Sequence, residues 1–106
     1  MFSKKQRLNT SEFDEVFNFG KIRRNEFFLL KYRDNSLQKA RFAVVIPKKQ
    51  IKLAIKRNLY KRRFMSILEK SELRNFKKDF VFVLNKNTFH KNKEEILLTI
   101  SKLHLE

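Results

Sequence analysis

Lys48, Lys49, Lys52, Lys56, Arg57, Lys61 and Arg62 crowd into one short stretch with Asn58 among them. No Asp or Glu lies anywhere from Asn35 to Leu68. If the stretch is helical, Arg57 and Lys61 form one i, i+4 row and Asn58 and Arg62 the next, with charges about one turn (~5.4 Å) apart. That pitch is comparable to the phosphate repeat of a nucleic-acid strand. Arg57 and Arg62 can each fork onto two phosphate oxygens, and Asn58 adds a neutral donor and acceptor for a sugar or base edge. A merely solvated face would interleave acids with bases. Their absence points to a polyanionic partner, a nucleic acid or an anionic membrane surface.

Bond-breaking chemistry is much harder to find. His90 and His104 are isolated, with no Cys or paired carboxylate at ligand spacing. They read as a loop residue and a tail residue. Glu94 and Glu95 read as acids opening a helix, where the macrodipole favours them. A chain with one glycine cannot carry a glycine-rich phosphate loop. No catalytic residue and no metal ligand is therefore assigned. The aromatics divide two ways. Phe13, Phe17, Phe28, Leu30 and Tyr32 fall at core spacings. Phe17 and Tyr32, flanked by Lys21, Arg23 and Arg24, could instead form a stacking platform for single-stranded nucleic acid.

The bulk composition bounds the rest. With 106 residues, one domain is expected, spanning 1–106. Twelve Phe and a hydrophobic fraction of 42% allow a small core despite 26 Lys and Arg against 11 Asp and Glu, a net charge of +15. No cysteine means no disulfide framework, which fits a reducing cytosol. The basic start Met1 to Lys5 is followed by no apolar stretch of signal-peptide length, and runs such as Phe80 to Leu84 fall far short of the ~20 residues a membrane span needs. A cytoplasmic protein without a membrane partner is expected.

Local patterns place these residues on elements. Thr10 to Phe19 reads as a helix: Asn9 and Glu12 have capping-box spacing, Leu8 and Phe13 would form a hydrophobic staple, and Phe13, Val16 and Phe17 make an apolar stripe. Gly20 sits where a helix end would use a left-handed residue. Phe27 to Arg33 alternates as a strand, with Phe28, Leu30 and Tyr32 on one face, and Asp34-Asn35-Ser36 supplies a turn. Arg41 to Ile46 reads as a strand buried on both faces or nearly so and stopped by Pro47. A long helix is expected from Leu53 to Leu73, with Leu53, Tyr60, Phe64, Ile67 and Leu68 on one face. Lys77 to Asp79 reads as a connection, Phe80 to Leu84 as an apolar strand, Asn85 to Asn92 as a polar loop, and Lys93 to Leu105 as a last helix. The order α-β-β-α-β-α, with a short extra strand near Lys21 to Arg24, gives an α/β (α+β) two-layer sandwich: a small central sheet packed by helices.

The run from Arg41 through Phe42-Ala43-Val44-Val45-Ile46-Pro47 to Lys48-Lys49, then Arg57-Asn58, then Lys61-Arg62, resembles the bacterial ribonuclease P protein component family. There a strand ending in Lys-Lys leads into a helix carrying Arg-Asn-Arg-x-x-Lys-Arg. Phe13, Val16, Phe17, Gly20 and Lys21 are similar to the family's first helix, and Asn25-Glu26-Phe27-Phe28 to the opening of its next strand. The resemblance implies a left-handed β-α-β crossover, against the general rule. It also implies a function in which a catalytic RNA, with Mg²⁺ held mainly by RNA, removes the 5′ leader of precursor tRNA. On this reading Lys48, Lys49, Lys52, Lys56, Arg57, Asn58, Lys61 and Arg62 contact the catalytic RNA. Phe13, Phe17 and Tyr32, with Lys86 at the edge, line a cleft for the leader. The protein would be an accessory subunit and the RNA the catalyst.

Three departures stand out. Leu59 replaces the second Arg of Arg-Asn-Arg, Met65 replaces a later Arg, and Ile51 sits where other members often carry glycine. Lys56 and Arg63 lie close enough to compensate in part. Two rivals share the composition. One is a small basic ribosomal protein with a purely structural role. The other is a DNA-binding module using the basic helix in a major groove, although that helix lacks further Gln or Asn for base edges and no DNA partner is expected.

Overall fold

The structure, a computed structural model, describes residues 7–37, 39–103 and 105. His104, read above as a tail residue, lies outside them. The elements in chain order are α1 (Thr10–Phe19), β1 (Lys21–Arg24), β2 (Phe28–Asp34), β3 (Arg41–Val45), α2 (Ala54–Lys70), β4 (Lys78–Leu84) and α3 (Lys93–Ser101), with 3₁₀ turns at Glu72–Asn75 and Lys86–His90. The four strands form one open sheet in the order β1-β2-β4-β3. β1 and β4 run antiparallel to β2, whereas β3 and β4 are parallel and joined through α2.

The two-residue period of the strands divides the sheet into two faces. On one face Phe28, Leu30 and Tyr32 of β2 sit opposite Leu84, Phe82 and Phe80 of β4, and Phe42 of β3 lies beside Phe80. Phe64, Ile67 and Leu68 of α2, with Ile96 and Ile100 of α3, complete this aromatic core. Phe28 meets Phe82 edge-on at 5.0 Å, and Phe82 lies 5.1 Å from Phe64, the offset geometries that ring quadrupoles favour. The other face carries Leu29, Lys31 and Arg33 of β2, Asp79, Val81 and Val83 of β4, and Arg41, Ala43 and Val45 of β3. α1 packs on β2 and β4 of this face, with Val16 fully buried beneath it.

α1 starts as its sequence requires: Asn9 Oδ1 accepts from Glu12 N, and Glu12 Oε1 accepts from Asn9 N, both at 2.8 Å. Its end departs from expectation. Gly20 is extended (φ −75°, ψ 161°), not left-handed. Glycine is required there by contact, because a Cβ would lie 2.5 Å from the Val16 carbonyl oxygen and 2.9 Å from that of Tyr32. The missing side chain is what lets the helix turn directly into β1 against β2.

Other boundaries move for tertiary reasons. β3 is not buried on both faces. It is an edge strand, with only Phe42 fully buried and its open edge met by Leu8 N donating to Phe42 O at 3.1 Å. The central, buried position belongs to β4, which starts two residues earlier than the apolar run. Lys78 and Asp79 belong to that strand and pair with Asp34 and Arg33, not to a connection. α2 ends at Lys70 because Ser71 folds back, its Oγ donating to Leu68 O at 2.8 Å and accepting from Leu73 N at 3.3 Å. Leu73 is buried from the 3₁₀ turn that follows, not from the helix. Leu53 is no part of the apolar face: it precedes α2 and is 61% exposed. α3 stops at Ser101, short of Leu105.

Candidate nucleic-acid interface

The parallel arrangement of β3 and β4 brings their C-terminal ends to the same end of the sheet. Pro47 follows two residues after β3 ends, and the turn Lys48 to Gln50 closes on its carbonyl, with Gln50 N and Ile51 N at 3.0 and 3.3 Å. Lys48, Lys49 and Lys52 therefore project from a short, fixed connection into solvent. Gln50 Oε1 accepts from Lys86 N at 3.1 Å and ties this turn to the one after β4, so Lys86 stands exposed beside them.

α2 then opens with no side-chain cap and no acid in its first turn. Its first N–H groups lack carbonyl partners within the helix, and Lys52, Lys56 and Arg57 add to the positive end of the macrodipole. Arg57 has a second task that the sequence did not suggest. Half-buried, it donates through Nη1 to Ile51 O at 2.9 Å and Lys52 O at 2.7 Å, strapping the connection to the helix. Nε and Nη2 are left for an outside acceptor. One turn on, Asn58, Lys61, Arg62 and Met65 form one wall of a hollow of about 560 Å³ whose other wall is the Phe42–Val44 edge of β3, with Arg7 and Leu8 beside it. Among the described residues none of Lys48, Lys49, Lys52, Lys56, Arg57, Lys61 and Arg62 pairs with a carboxylate. Of the departures, Leu59 is 46% exposed, away from this hollow, whereas Met65 packs against the core and lines it.

The α1 face is built differently. Phe13 and Phe17 stack at 5.5 Å, and Phe17 is 38% exposed. Lys31 Nζ lies 3.7 Å from the centre of the Phe17 ring and donates to the Phe17 carbonyl at 2.7 Å. Leu29, Ala43, Val45 and Val83 are only half-buried, so α1 leaves them as an apolar floor beside Phe13 and Phe17. Lys86 and the Lys48–Gln50 turn stand at the end of the sheet where β3 and β4 finish. Below α1, Arg41 grips Asp79 through Nε (2.8 Å to Oδ1) and Nη2 (2.7 Å to Oδ2), and its Nη1 bonds Glu12. The bond to Asp79 raises the Arg41 pKa above its usual range, with a smaller contribution from Glu12. Lys78 bonds Asp34 and holds that carboxyl below the usual range.

Tyr32 is the correction among the cleft residues. It is 1% exposed and shares the opposite face with Phe28 and Leu30, packed in the aromatic core rather than beside Phe13 and Phe17. The alternation of β2 requires this: Lys31 and Arg33 face α1, so Tyr32 faces away. Its ring face is not open for stacking.

Among the described residues no three His, Cys, Asp or Glu side chains come together to hold a metal ion, and no helix is long and apolar enough to cross a membrane.

A family model for ribonuclease P matches residues 2–105. A "Ribonuclease P protein component" of Vibrio parahaemolyticus is 33% identical over 103 residues, covering 96% of this chain and 87% of that protein. The fold is similar to a mutant ribonuclease P protein of Staphylococcus aureus (TM-score 0.78, 18% identity, 92% of this chain and 84% of that one). It is also similar to the ribonuclease P protein of Thermotoga maritima (TM-score 0.76, 23% identity, 93% and 98%). The ribosomal alternative finds no support in these matches. A basic helix with unpaired cations, a sheet with one half-open face and relatives matched along almost the whole chain agree: this chain belongs to the ribonuclease P protein component family.

Proposed function

We propose that this chain binds the catalytic RNA of ribonuclease P through the α2 flank and the 5′ leader of precursor tRNA through the floor beside Phe13 and Phe17, promoting endonucleolytic leader removal. The observation that carries the reading is the set of α2 cations left without carboxylate partners around the Asn58–Lys61–Arg62 hollow. Phosphates docking there offset repulsion between the two RNAs and fix the protein's register, with little base reading. Arg57 positions as well as binds, because its strap holds Ile51 and Lys52 against the helix. Mg²⁺ sits with the RNA, and the chain's own side chains bind and orient. Phe17, half-exposed and backed by Phe13, offers a face for an unstacked leader base when the Lys31 ammonium, which lies over its ring, turns to the strand's phosphates, and Lys86 adds charge along the strand's path.

The test adds the protein to a bacterial-type catalytic RNA at low Mg²⁺ and follows leader release from precursor tRNA. Stimulation is expected. Lys61→Ala with Arg62→Ala should weaken catalytic-RNA binding about tenfold and lower the slope of log K against log salt by roughly 1.5. An unchanged slope would remove the α2 flank from the interface.

A further inference from the structure

Strand register orders the half-open face of the sheet into rows. Val45 of β3 lies opposite Val83 of β4, Val83 opposite Leu29 of β2, and Leu29 opposite Arg24 of β1. Cross-strand partners point to the same face, so these four side chains form one row across all four strands, about 14 Å from end to end at ~4.8 Å per strand. The neighbouring row is Ala43, Val81, Lys31 and Ile22. α1 covers that neighbour at its centre: Val81 is fully buried, whereas Val45, Val83 and Leu29 stay half-buried. α1 crosses the sheet in the same direction as the rows. It begins where Leu8 N meets Phe42 O on β3 and ends at Gly20, packed against Tyr32 and leading into β1. The uncovered row is therefore the bed of a groove that runs beside α1 from the β3 edge to the β1 edge.

Positive charge marks both ends of this bed. Lys48, Lys49 and Lys86 are exposed where β3 and β4 finish. At the far end Arg24 is exposed, and its side chain meets no partner among the described residues. No acid interrupts the row between them. An apolar bed with a cation at each end suits a single nucleic-acid strand, whose bases lie on the bed and whose phosphates meet the cations. The two ends are not equivalent. The Asn58–Lys61–Arg62 hollow, read above as the seat of the catalytic RNA, borders the Phe42–Val44 edge of β3. A strand leaving that RNA meets the groove at β3 first and at β1 last.

We infer that the precursor tRNA leader lies along this row with its cleavage-site end over Val45 and Val83 and its 5′ end over β1, and that Arg24 holds the outermost leader phosphate the protein reaches. Arg24 is then the residue that sets how much leader the protein grips. The inference rests on the leader-binding reading above and adds the strand's direction and its outer limit. The guanidinium suits the task, since it stays charged and can fork onto two phosphate oxygens.

The experiment measures how the complex of protein and bacterial-type catalytic RNA binds precursor tRNAs whose leaders lengthen one nucleotide at a time, with mature tRNA as the starting point. Wild-type affinity should rise with leader length and then level off. Arg24→Ala should follow wild type for mature tRNA and the shortest leaders, then level off about three- to tenfold weaker for long ones, with the slope of log K against log salt lowered by roughly 0.7, the share of one single-strand phosphate. Arg24→Lys should recover most of the loss. Lys102→Ala removes the same charge from the end of α3, on the other face of the sheet, and should follow wild type at every length. Melting of Arg24→Ala should not change, because the side chain has no partner to lose. If wild-type affinity rises with leader length but Arg24→Ala loses nothing, or loses equally for mature tRNA and every leader, the inference is overturned, the leader reading stands, and Arg24 is only a charge that keeps the β1 edge from pairing. Wild-type affinity independent of leader length would overturn both.

Discussion

The two sides of the sheet use positive charge in opposite ways. On the α1 side three cations of the sheet reach an acid or a carbonyl of the chain itself: Arg41 to Glu12 and Asp79, Arg33 to Glu15 at 3.3 Å, Lys31 to the Phe17 carbonyl. On the α2 side Lys52, Lys56, Lys61, Arg62 and Arg63 meet no carboxylate among the described residues. Net charge therefore says little about which cations serve a partner. What separates them is whether folding brings an acid to them, and the acid-free run from Asn35 to Leu68 ensures that for α2 it rarely can. Arg41 is the exception that shows the rule. It lies inside that run and finds its acids only through long-range pairing.

Arg41 gives the largest expected effect. Arg41→Ala leaves Asp79, whose side chain is 8% exposed, with Asn35 Nδ2 at 2.8 Å as its remaining side-chain partner and removes the Glu12 tie between α1 and the sheet. Breaking a buried pair from one side costs about 3–5 kcal/mol. At about 4–8 °C per kcal/mol for a chain of this size, melting should fall by well over 10 °C, measured by calorimetry. Lys61→Ala/Arg62→Ala should do the reverse, leaving melting unchanged while binding falls. Equal loss of stability in both variants would erase the distinction between the two sides.

Arg41 also shows where sequence reading stops. The capping box at Asn9 and Glu12, the apolar period of Phe64, Ile67 and Leu68, the extra strand at Lys21 to Arg24 and the cationic rows of α2 are local patterns, and the structure keeps them. The partner of Arg41 lies 38 residues away, and nothing local names it. β3 and β4 look alike in composition. Only the insertion of β4 between β2 and β3 makes one central and the other an edge. Gly20 was visible as special, but the reason, two carbonyl oxygens occupying the space a Cβ would take, appears only once α1 and β2 are packed. The alternation of β2 was legible too. Which face α1 would cover was not, and that packing is what separates Tyr32 from Phe13 and Phe17.

Phe17 tests the α1 side on the smaller scale of a single ring. At 38% exposure, with Phe13 on one side and the Lys31 ammonium near it, it contributes less to the core than a fully buried Phe. Phe17→Ala should cost about 1–2 kcal/mol of stability by apolar area. It should also lower affinity for leader-bearing precursor more than for mature tRNA, by a factor set by one base stack, about 1–3 kcal/mol. Equal losses for both tRNAs would return Phe17 to a purely structural role and leave the apolar floor without its aromatic wall.

Tyr32 should move least, and in the other direction. Its ring is buried against Phe80, with Arg23 and Lys78 at 5.6 and 5.8 Å from its centre, yet among the described residues its hydroxyl has no hydrogen-bond partner. A buried hydroxyl without a partner forfeits the bonds it made to water in the unfolded chain. Tyr32→Phe keeps the ring and both cation–π contacts and removes only the oxygen. Melting should rise, by an amount corresponding to about 1 kcal/mol. Leader affinity should stay at the wild-type value, because the ring faces α2 while the floor beside Phe17 is on the other side. A fall in leader affinity without loss of stability would mean that the hydroxyl is spent on RNA, with α1 and β2 opening far enough to expose it. The two faces would then be coupled through β2, and the division between a self-paired side and a partner-facing side would hold only for the unbound protein.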